Sequence, residues 1–363
     1  MTIDFIPIQL YTSIYYYTML AIVLFTIMHT QVINIDSSTN LRYTRTAGMG
    51  LLFFVLIYMG LRPIHGVFID MTTYARMFER FSRSLEFSVE YDFLFYILMF
   101  GASKIMTVQA FFFLCAMAYV VPLFLACRKW FTHYWFYAFL MLVISFSFWA
   151  YGTNGIRNGI ATSIFLFAIS RGKRYTQIIW ILVSIGIHKS MILPSFGFFI
   201  TQINNSSKIY LKFWLLCIPL SLFAGSFLET AITNLGFGDD RIGMYLTDDD
   251  FGSTYNKGFR WDFLMYSATG VIVGWYFIFR KNFKDKIYLR IFNIYLFANG
   301  FWILIITASF SNRFAYLSWF LLGILIIYPF LINLQFFKYQ HRKIGIVILG
   351  YFLFTYIMNV LLV

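Results

Sequence analysis

Apolar runs of about 18–25 residues recur from one end of the chain to the other, each long enough to carry a helix across a bilayer. With 60% hydrophobic and only 12% charged residues, a chain of 363 residues has no way to hide that surface from water. β-Barrel strands alternate polar and apolar residues and lack such runs. The predicted fold class is an all-α polytopic membrane protein of about 12 transmembrane helices, including short broken spans. It is read as a single transmembrane domain over residues 1–363, with the first apolar stretch as a retained span.

The net charge of +13 is not the footprint of a nucleic-acid partner. Lys and Arg sit mostly in short clusters between apolar runs, as they do in cytoplasmic loops facing a bilayer. Cys115, Cys127 and Cys217 lie in or at the end of apolar segments without metal-ligand spacing, so they read as core residues. No cofactor and no metal are expected.

The N-terminal "MTIDFIPIQ" carries no Lys or Arg, whereas "NLRYTRT" carries Arg42 and Arg45, which places the N-terminus outside. The first long polar stretch then belongs to an outer loop, 63–104, whose apolar piece 93–103 is too short to span and reads as re-entrant or interfacial. Spans over 134–151 and 155–170 form a hairpin between the basic clusters "RKW" and "RGKR", so its tip "YGTNGIRNG" is outside. The segment "TQIIWILVSIGIHKSMILPSFGFFITQI" fits this alternation only as two half-spans meeting near His188–Ser190. A second outer loop covers 228–260. No inverted repeat is visible, which gives a repeat-built transporter no support.

Ionisable and amide residues that are not orientation charges fall in five places. They are Arg62 with Asp70 and Tyr74; Asn154, Arg157 and Asn158; and His188, Lys189 and Ser190. Arg241 with Tyr245, and Asn312 with Arg313, complete the set. Each alone has a bland explanation: a snorkelling arginine, a satisfied core histidine, an aspartate balancing Arg76 and Arg80. "TDDDF" (247–251) reads as a solvated loop tip, because three adjacent carboxylates cannot all face one ion. All five places map to one membrane boundary, and ionisable groups at membrane depth are costly and mark functional cavities.

Arginine forks bind phosphate oxygens in pairs. Arg157 also sits near a helix start, where an anion is favoured, and helical spacing sets Asn154 and Asn158 on its face. Arg157, Arg313, Arg62 and Arg241 are therefore the candidate diphosphate-binding residues. Asn154, Asn158, Tyr74, Ser190 and Tyr245 are the candidate substrate contacts. A sugar on a lipid diphosphate has a stable leaving group, so the chemistry needs charge neutralisation and a base more than an acid. His188 and Asp70 are the candidate bases by residue type.

"GLRPIHGVFIDMTTYARMF" (60–78), "GIRNGIATSIFLFAI" (155–169) and "GIHKSMILP" (186–194) resemble the motifs of a known family. "RIGMYL" (241–246) and "NRFAYLSWFLLGILIIYP" (312–329) continue the resemblance in the same order. The family is the EpsG-like, Wzy-type bacterial polysaccharide polymerases. Lys189, beside the histidine, departs from the pattern.

The resemblance implies an architecture similar to GT-C glycosyltransferases and an active site on the periplasmic face of the bacterial inner membrane. It also implies a reaction: the growing chain moves from undecaprenyl diphosphate to the non-reducing-end hydroxyl of a new oligosaccharide repeat unit. Implied partners are the lipid-linked oligosaccharide, a flippase that delivers it and a chain-length regulator. Competing readings are a flippase or exporter of lipid-linked oligosaccharide, an O-antigen ligase, and a membrane acyltransferase. A flippase would need cations at several depths; an acyltransferase would need a path from the cytoplasm.

Overall fold

The structure, a computed structural model, describes residues 2–84, 86–87, 91–234, 258–308 and 311–362. Among the described residues there is no strand. The helices are α1 (Tyr11–Val32), α2 (Ser38–Gly60), α3 (Ile69–Arg83), α4 (Phe93–Ser103) and α5 (Val108–Trp130). The bent pair α6 (Trp135–Val143) and α7 (Phe146–Thr153) follows, then α8 (Ile156–Ile169) and α9 (Arg174–Ile187). After these come α10 (Ile192–Ile203), α11 (Ser207–Asn234), α12 (Trp261–Trp275) and α13 (Lys286–Leu304). α14 (Asn312–Trp319), α15 (Leu322–Ile332) and α16 (Gln340–Tyr356) complete the chain. It packs as two compact units, Met1–Met191 with Phe330–Val363, and Ile192–Pro329.

Among the described residues eight helices are long and apolar enough to cross a membrane, or nine if the bent pair counts as one span. α4, α8 and α9 are apolar but shorter. The polytopic all-helical class is therefore present. The span expected over 134–151 is bent: α6 and α7 meet at 66°. A bend frees backbone groups that lipid cannot satisfy. Here the Tyr15 hydroxyl donates to the Val143 carbonyl at 2.6 Å, supplying a partner where the helix breaks. The break expected near His188–Ser190 is found, because α9 stops at Ile187 and a short 3-10 turn covers Lys189–Met191. The residues 93–103 form α4, and α11 continues to Asn234, so the start of the expected loop 228–260 is helical.

Local chemistry accounts for the ends of several helices. Ser37 caps α2 by accepting from the Asn40 amide at 3.1 Å, and Thr107 caps α5 by accepting from Ala110 at 3.3 Å. In the first unit, rings pin α7 to α1 and α2. Tyr15 stacks on Trp149 at 4.4 Å and Tyr11 on Tyr58 at 4.4 Å, and the Tyr11 and Tyr58 hydroxyls each donate to the other's carbonyl. These contacts hold the segment that leads into α8.

The α7–α8 junction leaves no room for a side chain. A Cβ added at Gly159 would lie 2.8 Å from the Tyr151 carbonyl oxygen, a backbone atom that cannot rotate away. Gly159→Val is expected to cost about 1–3 kcal/mol by overpacking and to push α8 outward. The melting temperature of the purified protein in detergent is the measurement. An unchanged value would show that α7 and α8 separate freely.

The second unit is tied by a buried polar network. Asn299 on α13 accepts from Trp214 Nε1 at 2.8 Å and donates to Ser267 at 3.1 Å and Ser318 at 2.9 Å. Trp319 Nε1 donates to Ser267 at 2.7 Å. Four helices, α11 to α14, thus share one fully bonded set of side chains, a common device where apolar attraction between helices is weak.

Candidate active site

Asp92 stands immediately before α4, in the left-handed region at φ 56° and ψ 34°. Aspartate tolerates that backbone better than most side chains. It is turned inward: its side chain is 1% exposed. Its Oδ2 lies 2.6 Å from Nη1 of Arg157 and 3.8 Å from Nε2 of His188, and its Oδ1 accepts from the Lys189 amide at 2.8 Å. One carboxylate thereby gathers groups from α8 and from the turn after α9.

Arg157 occupies the second position of α8, where the helix field opposes a cation. Asp92 offsets that field and the cost of burial. Aromatic rings add to this, with the guanidinium carbon 5.8 Å from the Tyr74 ring centre and 5.6 Å from that of Tyr96. Burial pushes the Tyr74 phenol well above its usual range, against the pull of Arg157, so Tyr74 remains a protonated donor. Asp70 lies one turn earlier on α3, and its charge also acts to raise Tyr74.

His188 ends α9 in extended backbone. Its Nδ1 accepts from the Ser190 amide at 3.1 Å, so in the neutral ring the proton sits on Nε2, the nitrogen facing Asp92. Ser190 Oγ donates to Asn158 Oδ1 at 2.9 Å, closing the cluster back onto α8. Two further contacts fix these elements. Ser184 donates to the Ala161 carbonyl at 2.7 Å, and Gly186 leaves space that Leu94 at the start of α4 fills. The Lys189 ammonium lies 4.7 Å from the centre of the Tyr91 ring.

Of the residues predicted from sequence, the structure brings together Tyr74, Arg157, Asn158, His188 and Ser190. Asn154 is elsewhere: it is exposed at the end of α7, because Gly155 breaks the helix and the spacing that would align it with Arg157 never forms. Arg62 lies in the same unit but is walled in, 1% exposed, against the Phe68 ring and beside Cys115, and it donates to the Met59 carbonyl. Burial pushes its pKa down to about 10. Arg313 is exposed on α14 in the second unit. Arg241 and Tyr245 lie outside the described residues.

Sequence reasoning missed Asp92 and Tyr96 as site residues. For Asp92 the available signal was its position, the last acidic residue before the apolar run "FLFYILMF".

Residues 48–363 match the sequence profile of the EpsG family. The chain belongs to the EpsG family. It is thus a multi-pass membrane protein of a polysaccharide polymerase family, and the matched residues include every member of the buried cluster. No curated protein and no solved structure matches the chain.

Proposed function

We propose that this EpsG-family protein joins undecaprenyl-diphosphate-linked oligosaccharide repeat units at the periplasmic face of the inner membrane, in a GT-C-like manner and without a metal. The observation that carries this reading is the buried group of Arg157, Asp92 and His188, with Asn158 and Ser190 bonded beside it. The anomeric carbon–oxygen bond to the lipid diphosphate breaks, and a glycosidic bond to the acceptor hydroxyl forms. The diphosphate leaves carrying the electron pair, and the hydroxyl proton passes to a base.

Arg157 and Lys189 are the cations at hand to neutralise the leaving group. Asn158, Ser190 and Tyr74 supply hydrogen bonds to sugar or phosphate oxygens. His188 is the base, through the Nδ1 lone pair, once its 3.1 Å bond from the Ser190 amide opens. Arg313 and, outside the described residues, Arg241 with Tyr245 are offered as further contacts to substrate. A flippase that delivers repeat units and a chain-length regulator are the expected partners.

The surface polysaccharide ladder of a strain lacking this gene tests the reading. Single-unit products support a polymerase. Absence of units outside the cell would indicate a flippase, and polymer left on its lipid carrier would indicate a ligase. His188→Gln is expected to slow turnover about 100-fold or more while undecaprenyl diphosphate still binds to the purified protein. Loss of binding instead would make the histidine a substrate contact and not the base.

A further inference from the structure

Asp92 is a buried carboxylate on which the rest of the cluster converges, and the polymerase reading gives it no part in the reaction. We propose that Asp92 is a positioning residue, which holds Arg157 and His188 in register and sets the charge that a diphosphate headgroup meets. The inference rests on the reading of Arg157 as the diphosphate-binding residue.

Three geometric facts carry it. The two carboxylate oxygens divide their work: Oδ2 takes Arg157 at 2.6 Å and faces His188 at 3.8 Å, while Oδ1 takes the Lys189 amide at 2.8 Å. The carboxylate therefore fixes the distance between the proposed cation and the proposed base, which come from segments more than one helix apart in the chain. The left-handed backbone at residue 92 turns the side chain back over the start of α4 and not out to solvent. Finally, the Asp92 carboxylate lies 2.6 Å from the Arg157 guanidinium and offsets its charge inside the group.

A consequence separates this role from simple structural support. A diphosphate must share Arg157 with Asp92, so the carboxylate weakens ground-state binding of the anion while it orients the groups for reaction. As the headgroup gains charge in the transition state, Arg157 shifts toward it and Asp92 keeps the guanidinium from swinging away. Removing the charge should then tighten binding and slow turnover, opposite directions that a collapsed site would not give.

Asp92→Asn tests this, since asparagine accepts the same left-handed backbone. Undecaprenyl diphosphate in detergent micelles is the binding probe, read by the shift in melting temperature. Polymer made from the native lipid-linked unit by the purified full-length protein gives turnover. The expected result is binding about 3–10-fold tighter than wild type together with turnover at least about 10-fold lower.

Weaker or unchanged binding, whatever the turnover, would overturn the inference and leave Asp92 as a structural ion-pair partner. Should Asp92→Asn not fold, Asp92→Glu carries the test: the charge stays, so affinity should match wild type, while the longer side chain misplaces Arg157 and turnover falls. Wild-type turnover in Asp92→Glu, or affinity that falls with turnover, would overturn it equally. Failure of the polymerase reading looks different, for then the wild type itself neither binds the probe nor makes polymer from the lipid-linked unit.

Discussion

Arg157→Ala is expected to abolish long-chain polymer while single repeat units still reach the outside of the cell, visible as the loss of every band above the first in the polysaccharide ladder. Two effects combine. Removing a group that stabilises developing charge costs about 100–1,000-fold in rate. The deletion also leaves the buried Asp92 carboxylate without the Arg157 charge, and breaking one side of a buried pair costs about 3–5 kcal/mol of stability. Arg157→Lys separates the two. Lysine restores the charge and should restore folded protein, yet it lacks the planar fork and cannot sit between Tyr74 and Tyr96 in the same way. Polymer should remain at least about 10-fold below wild type in the lysine variant. A full ladder in Arg157→Lys would mean that a point charge suffices and that the fork is not the recognition element.

Asn299→Leu is expected to damage the second unit without touching the cluster. The variant removes the acceptor of Trp214 Nε1 and the donor to Ser267 and Ser318 at once. Each buried polar group left without a partner costs about 1–3 kcal/mol, though the unfolded chain in a membrane recovers part of this. A fall of several degrees in melting temperature, with undecaprenyl diphosphate binding by the remaining folded protein unchanged, is the expected outcome. Unchanged melting would show that the network contributes orientation and not stability.

Some of the site was legible in the chain itself. Arg157, Asn158, His188 and Ser190 stand out because polar residues inside apolar runs have few reasons to be there, and the His188–Ser190 break follows from counting charged loops on either side. Asp92 was not legible. It sits 65 positions from Arg157 and 97 from the Lys189 amide it bonds, in a stretch of sequence that also holds Glu79 and Glu86. Burial distinguishes it from Glu79 and Glu86, which are exposed, and burial depends on how α4 meets α8 and α9. Asn154 failed for the opposite reason. Helical spacing does not carry across Gly155, where the backbone leaves the helix, so Asn154 is exposed while Arg157 is buried.

Apolar run length and the spacing of basic loops determined the all-helical membrane fold, because a bilayer demands internally bonded segments of a set minimum length. The motif order determined the family. Only the tertiary structure decided which charges meet. A lone carboxylate at low dielectric takes whichever cation packing delivers to it, and that pairing is set by helix contacts far apart in the chain, not by the residues on either side.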